Sequence, residues 1–189
     1  MTREELYAQG YWLVQDFIKG NNLKPVTTLP TPKEDWHVGA CAYYRRDTIK
    51  ICIKACAQVG YGGRAWSYPG YVVDRTPYGV MAHELGHHLD FHKSDNKGSY
   101  FGDFSVKLRE QTGEKPITTY CPNTAEWFAE IARLYITNPD LLRLIRPRTH
   151  RELTKVFDPV FSDSWRKRLE GAPERTLKAA ANKIDQVRE

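Results

Sequence analysis

The sequence predicts an α+β fold, mainly helical, with a small sheet ahead of a helix at about 77 to 92. Three observations carry this. Residues 3 to 19 place Leu6, Tyr7, Leu13, Val14, Phe17 and Ile18 at helical spacing. Two short runs, Val38 to Tyr44 and Thr48 to Ile53, are rich in β-branched and aromatic residues, with Arg45-Arg46-Asp47 free to turn between them. Three further helical stretches follow at about 77 to 92, 102 to 112 and 124 to 137.

Each element has its own signals. Gly20-Asn21-Asn22 stops the first helix, and Pro25 to Pro32 reads as a proline-rich connector. Residues 60 to 71, GYGGRAWSYPGY, are loop by their glycines. Thr76 is a good N-cap and Pro77 suits the first helical position of the helix that follows. Beyond 137, helical segments are broken near Pro139, Pro147, Pro159 and Pro173. No apolar stretch approaches the roughly 20 residues of a membrane-spanning helix. The first residues are charged and amphipathic, unlike a signal peptide, so a cytoplasmic location is expected. Cys41, Cys52, Cys56 and Cys121 contain no CxxC pair; thiols packed as small apolar groups are expected.

The net charge of +5 is not spread evenly. Residues 1 to 142 hold 16 charges of each sign, whereas 143 to 189 hold 12 basic and 7 acidic. The whole excess therefore lies on the C-terminal quarter, which includes Trp165-Arg166-Lys167-Arg168. Nucleic-acid contact is one reading of that tail, but acids are interspersed and a solvated helical face is favoured.

Residues 80 to 90 read VMAHELGHHLD, and His83, Glu84 and His87 form HExxH. On a helix His83 and His87 lie about 40° apart, one turn removed, where two imidazoles can reach one zinc ion. Glu84 stands beside them, placed to take a proton from a water held there. With this chain's composition, chance would produce the pattern with a probability of about 0.01. The surrounding Val80, Met81, Ala82, Leu85 and Leu89 predict a buried helix, which would not carry three polar groups on one arc without a use. Asp90 falls on the same arc and is a candidate to orient a ligand imidazole. His88 and His92 point 100° or more from His87 and are read as non-ligands.

A catalytic zinc needs a third protein ligand. Residues 122 to 135, PNTAEWFAEIARLY, offer Glu126 and Glu130, one helical turn apart. Either serves by spacing, with Glu126 favoured; against both, they lie opposite the apolar face of Trp127, Phe128, Ile131, Leu134 and Tyr135, where surface residues usually sit.

HELGHHLD followed by NTAEWFAE resembles the gluzincin metallopeptidases, most of all the catalytic domain of anthrax lethal factor and similar lethal-factor-type proteins. The likeness spans about 60 residues, Tyr78 to Thr137. Small candidate metallopeptidases of phage and bacterial genomes look similar over the rest, which implies a phage-encoded protein acting in a bacterial host. The resemblance implies a zincin-like core over 1–145 with a basic helical extension at 146–189, packed on it or appended. It implies Zn2+ held by His83, His87 and Glu126, Glu84 as general base, and Asp90 and Glu130 as outer partners of the ligands. The implied activity is endopeptidase, through a water held at zinc, on a protein or peptide substrate. One departure concerns the oxyanion: the family's tyrosine lies four residues before the asparagine, where this chain has Thr119, and Tyr120 follows it. A one-residue loop difference would bring Tyr120 to the same place. Tyr68, Tyr71 and His150 are weaker alternatives.

Two rival readings remain. A SprT-like DNA-associated protease shares HExxH but uses a third histidine. A non-catalytic zincin-like binding or virion protein would have no need of Glu84. Oligomeric state is open.

Overall fold

A computed structural model describes residues 2–32, 41–57, 73–95, 102–118 and 120–158. The architecture is mixed α and β: six α-helices and one three-stranded sheet among the described residues.

Helix α1, Arg3–Gly20, starts on a reciprocal cap. The Thr2 hydroxyl accepts from the Glu5 backbone N–H at 3.1 Å, and the Thr2 N–H donates to the Glu5 carboxylate at 2.7 Å. Its buried face, Leu6, Gly10, Leu13, Val14, Phe17 and Ile18, packs on α2. Gly10 matters there, because a Cβ would stand 3.1 Å from the Tyr78 Cα.

The sheet has order β1-β3-β2. Strands β2, Ala42–Arg45, and β3, Thr48–Ile51, form an antiparallel hairpin around Arg46 and Asp47. Both turn residues have positive φ, 48° and 59°, as a two-residue type I′ turn requires. The second expected strand stops at Ile51 and gives way to a 3-10 turn, Ile53–Ala55. The expected connector at 25–32 contains a strand: β1, Thr27–Pro30, pairs parallel with β3. Its threonines suit a strand, and Pro30 is tolerated because β1 lies at the sheet edge. Residues 38–40 of the first expected strand and the loop at 60–71 lie outside the described residues.

Helix α2, Pro77–Lys93, runs through the centre of the molecule. The Thr76 hydroxyl caps Gly79 N–H at 3.3 Å, and the Asp74 carboxylate holds the Thr76 N–H and hydroxyl at 2.9 and 2.8 Å. After α3, Phe104–Thr112, Gly113 ends the helix in the left-handed conformation at φ 62°. Helix α4, Thr124–Thr137, crosses α2 at close range. A Cβ on Gly86 would come within 2.8 Å of the Ala129 Cα, so glycine sets the depth of this crossing. Helices α5, Pro139–Ile145, and α6, Pro147–Thr154, each begin at a proline.

One apolar core runs from Leu6 through Ile49, Met81, Phe128 and Leu142 to Leu153 and Phe157. Residues 147–157 therefore share the core of the preceding 145, and Asn21 at the end of α1 exchanges two hydrogen bonds with the Asp158 backbone. The basic residues from 159 onward, Trp165 to Arg168 among them, lie outside the described residues. All four cysteines are free thiols, with Cys52 and Cys56 buried. No helix among the described residues is long and apolar enough to cross a membrane.

Candidate metal centre

The close crossing of α2 and α4 brings the two sequence motifs face to face. His83 Nε2 stands 2.9 Å from Glu126 Oε2, and His87 Nε2 stands 3.5 Å from the same oxygen. One ligand atom from each of the three residues lies within 4.8 Å of the others. Two ligands of a tetrahedral zinc, each at 2.0–2.1 Å, are roughly 3.3 Å apart. The measured separations bracket that value. Two imidazole nitrogens and one carboxylate oxygen are also the donor chemistry zinc takes.

Glu130 occupies the other side of His83. Its Oε1 lies 2.8 Å from His83 Nδ1, while Thr118 Oγ1 and the Arg133 guanidinium donate to its carboxylate at 2.9 and 3.0 Å. Glu130 is 2% exposed. It is committed to Arg133, Thr118 and the far nitrogen of His83, which leaves Glu126 as the carboxylate that meets both Nε2 atoms. The surface position that α4's pattern suggested for these glutamates does not hold, because α4 is covered on nearly all sides. An imidazole fixed from behind by a carboxylate has its tautomer and ring angle set for a metal in front.

The electrostatics follow from this packing. Burial disfavours charge on His83, yet Glu126 and Glu130 outweigh it and lift its pKa to about 10. Burial also opposes ionisation of Glu126 and Glu130, but the two histidines hold Glu126 below the usual carboxylate range, and Arg133 with His83 brings Glu130 to about 2. The space between these carboxylates is therefore a seat for positive charge, and a metal ion competes there with a proton. Glu84 behaves differently. Burial raises its pKa; the charges of His87 and His83 and the Tyr44 backbone N–H pull the other way. A carboxyl raised toward neutrality is suited to accept and return a proton.

A cleft of about 260 Å³ reaches this group at His83, and Cys41, Ala42, Arg75, Glu84, Tyr120 and Glu130 also line it, whereas His87 and Glu126 are not in its wall. Ala42 belongs to β2, an edge of the sheet, so the cleft runs beside an edge strand. Tyr120 is 39% exposed with its ring 5.9 Å from that of His83. His150 is elsewhere, against Tyr135 at 5.8 Å. Tyr68, Tyr71 and Thr119 lie outside the described residues.

The structure gives Asp90 a different partner from the imidazole expected of it. Its two oxygens accept from the Ser105 N–H and hydroxyl at 2.8 and 2.9 Å, tying α2 to α3, and it acts on His87 only through charge. His88 and His92 stand apart from the first cluster, as their helical angles require, and meet Asp47 instead. Asp47 and Arg75 carried no signal in the sequence: one is a turn residue, the other an isolated arginine. His88 and His92 did, since they repeat the four-residue spacing of His83 and His87.

Compared with family models, curated proteins and solved structures, the chain finds no significant match in any of the three.

Proposed function

We propose that this chain is a zinc-dependent endopeptidase of the gluzincin kind, built on a zincin-like core. The observation that carries the reading is the convergence of His83, His87 and Glu126 on one point, with buried Glu84 beside it at the wall of a cleft. A sheet edge alongside that cleft and a glutamate behind the first ligand support it further.

His83, His87 and Glu126 would hold the metal. When bound, zinc supplies a Lewis acid that polarises a peptide carbonyl and makes water more acidic. The other steps belong to the protein. Glu130 and Arg133 keep His83 oriented so that its Nε2 faces Glu126. Glu84 accepts a proton from the attacking water and returns it to the leaving amine. The Tyr120 hydroxyl, at the open side of the cleft, donates to the developing oxyanion. The substrate lies extended along β2, whose outer edge has backbone groups to pair with it. This assigns the protein a polypeptide substrate.

Glu84→Gln keeps the shape of the site and the three ligands while removing the base. We expect it to retain zinc and to lose peptide hydrolysis by roughly 10²–10⁴-fold, measured on a diverse peptide library by mass spectrometry. Cleavage by the variant at the wild-type rate would contradict the assignment. Zinc in the wild type with no cleavage of any peptide would favour the non-catalytic binding protein.

A further inference from the structure

We propose that Asp47, His88 and His92 form a second site for a divalent transition-metal cation, on the face of α2 turned away from the first. The site stands whether or not the chain is a peptidase. His88 and His92 are one helical turn apart on α2, with ring centroids 4.5 Å apart. Asp47 comes from the β2–β3 turn, where its positive φ aims the side chain at the helix. One ligand atom from each of the three lies within 4.8 Å of the other two. His88 Nδ1 is 3.6 Å from Asp47 Oδ1, and His92 Nε2 contacts the same oxygen. The separation of the first two is close to the roughly 3.3 Å between ligands of one tetrahedral ion.

A count of hydrogens gives His88 the tautomer a metal ligand needs. His88 Nε2 faces the Lys24 carbonyl at 2.8 Å, and a carbonyl only accepts, so this nitrogen carries the hydrogen. In a neutral ring Nδ1 is then a bare lone pair. It faces the Asp47 carboxylate and the Tyr44 hydroxyl, 3.1 Å away. Tyr44 has one proton and two acceptors competing for it, since Asp47 Oδ1 lies 3.0 Å from the same hydroxyl. Asp47 also has His92 Nε2 against Oδ1 and Lys24 Nζ against Oδ2, so it is the His88 lone pair that depends on Tyr44 alone. A cation between Asp47, His88 and His92 would take one lone pair from each, with Tyr44 Oη or water as a further donor. The Lys24 carbonyl behind His88 plays the orienting part that Glu130 plays behind His83. Lys24 Nζ, 2.9 Å from Asp47 Oδ2, is exposed and leaves Oδ1 to the metal. Two imidazoles and one carboxylate select zinc or a neighbouring first-row ion over calcium or magnesium. Such an ion would pin the hairpin to α2, and with it the edge strand beside the cleft.

The test is zinc stoichiometry of the full chain after chelation and dialysis, by titration and elemental analysis. The wild type should hold two zinc ions; Asp47→Asn and His92→Gln should each hold one, and His83→Gln should keep one. A wild type with one zinc, lost in His83→Gln and kept in Asp47→Asn, overturns the proposal. One zinc lost in Asp47→Asn but kept in His83→Gln supports it and contradicts the first centre instead. Should the variants fail to fold, 113Cd NMR of the wild type decides: two resonances support the second site, and one, with the shift of the cleft site, refutes it.

Discussion

Helix α2 carries two histidine pairs of identical spacing on two faces, and their surroundings make them different devices. His83 and His87 look toward α4, another regular helix, and receive their carboxylate at a position fixed by helical geometry. His88 and His92 look toward a two-residue turn and receive theirs from Asp47. The first pair reaches a cleft through His83, with Glu84 in the same wall. The second is backed by Lys24, Tyr44 and the sheet, with no second carboxylate among the described residues placed to move a proton. Spacing alone supplies a pair of ligands. A neighbouring base and an open space are what turn a pair of ligands into a place for chemistry.

The comparison can be broken in several ways. The largest effect expected is from Glu126→Ala, which removes the only described carboxylate that meets both His83 and His87 Nε2. It should abolish tight zinc binding on the α4 face and all hydrolysis, while zinc bound on the hairpin face is unaffected. Full occupancy of the cleft site by isothermal titration would show that the third ligand is another residue. Tyr120→Phe comes next. Its hydroxyl belongs to the cleft, and its loss should lower kcat by about 10²–10³ with zinc content unchanged. An unchanged kcat would remove Tyr120 from the reaction. Glu130→Gln is milder, because it leaves all three ligands and alters only the group behind His83; zinc affinity should fall by about 10–100-fold. Equal affinity would mean that Glu130 serves the Arg133 ion pair alone.

The smallest effect concerns the anchor that both faces share. Asp74 holds the N-terminus of α2 through Thr76, and its Oδ2 has no hydrogen-bond partner among the described residues. Burial raises its pKa from 3.8 to about 6, against the pull of Arg133 and Thr76. The folded chain thus binds this proton more tightly than the unfolded chain. The stability it contributes is fully present below the unfolded value of 3.8 and is lost as pH rises toward about 6. Asp74→Asn should flatten that loss and leave the chain more stable at pH 7, on the order of 1–3 kcal/mol. Thermal unfolding from pH 4 to 7 checks it; parallel curves for the two proteins would contradict the account.

What was legible in the sequence tracks how local the cause is. The helices expected at 3 to 19, 77 to 92 and 124 to 137 announce themselves through periodicity, and the Thr76 cap expected for the second has its bond to Gly79. The HExxH arc was legible for the same reason. The strand at Thr27–Pro30 was hidden, because its pairing comes from β3, some twenty residues on, and four residues, three of them exposed, hold no periodic pattern. The burial of Glu130 and the partial burial of Glu126 were hidden too. A polar arc opposite an apolar face looks like surface until a second helix with its own polar arc is laid on it, which the small residues Gly86 and Ala129 permit. Asp90 misled for a related reason: its angle on α2 is right for His83, but Ser105 of α3 reaches it first. Asp47 was out of reach, since nothing local ties a turn to a helix forty residues later.

The most direct test of the central claim is anomalous diffraction at the zinc edge from crystals of the full chain grown with zinc. The account predicts a peak bonded to His83 Nε2, His87 Nε2 and Glu126, with solvent at the remaining position on the cleft side. A crystal with no peak there, or an ion there wholly enclosed by protein atoms, would contradict it.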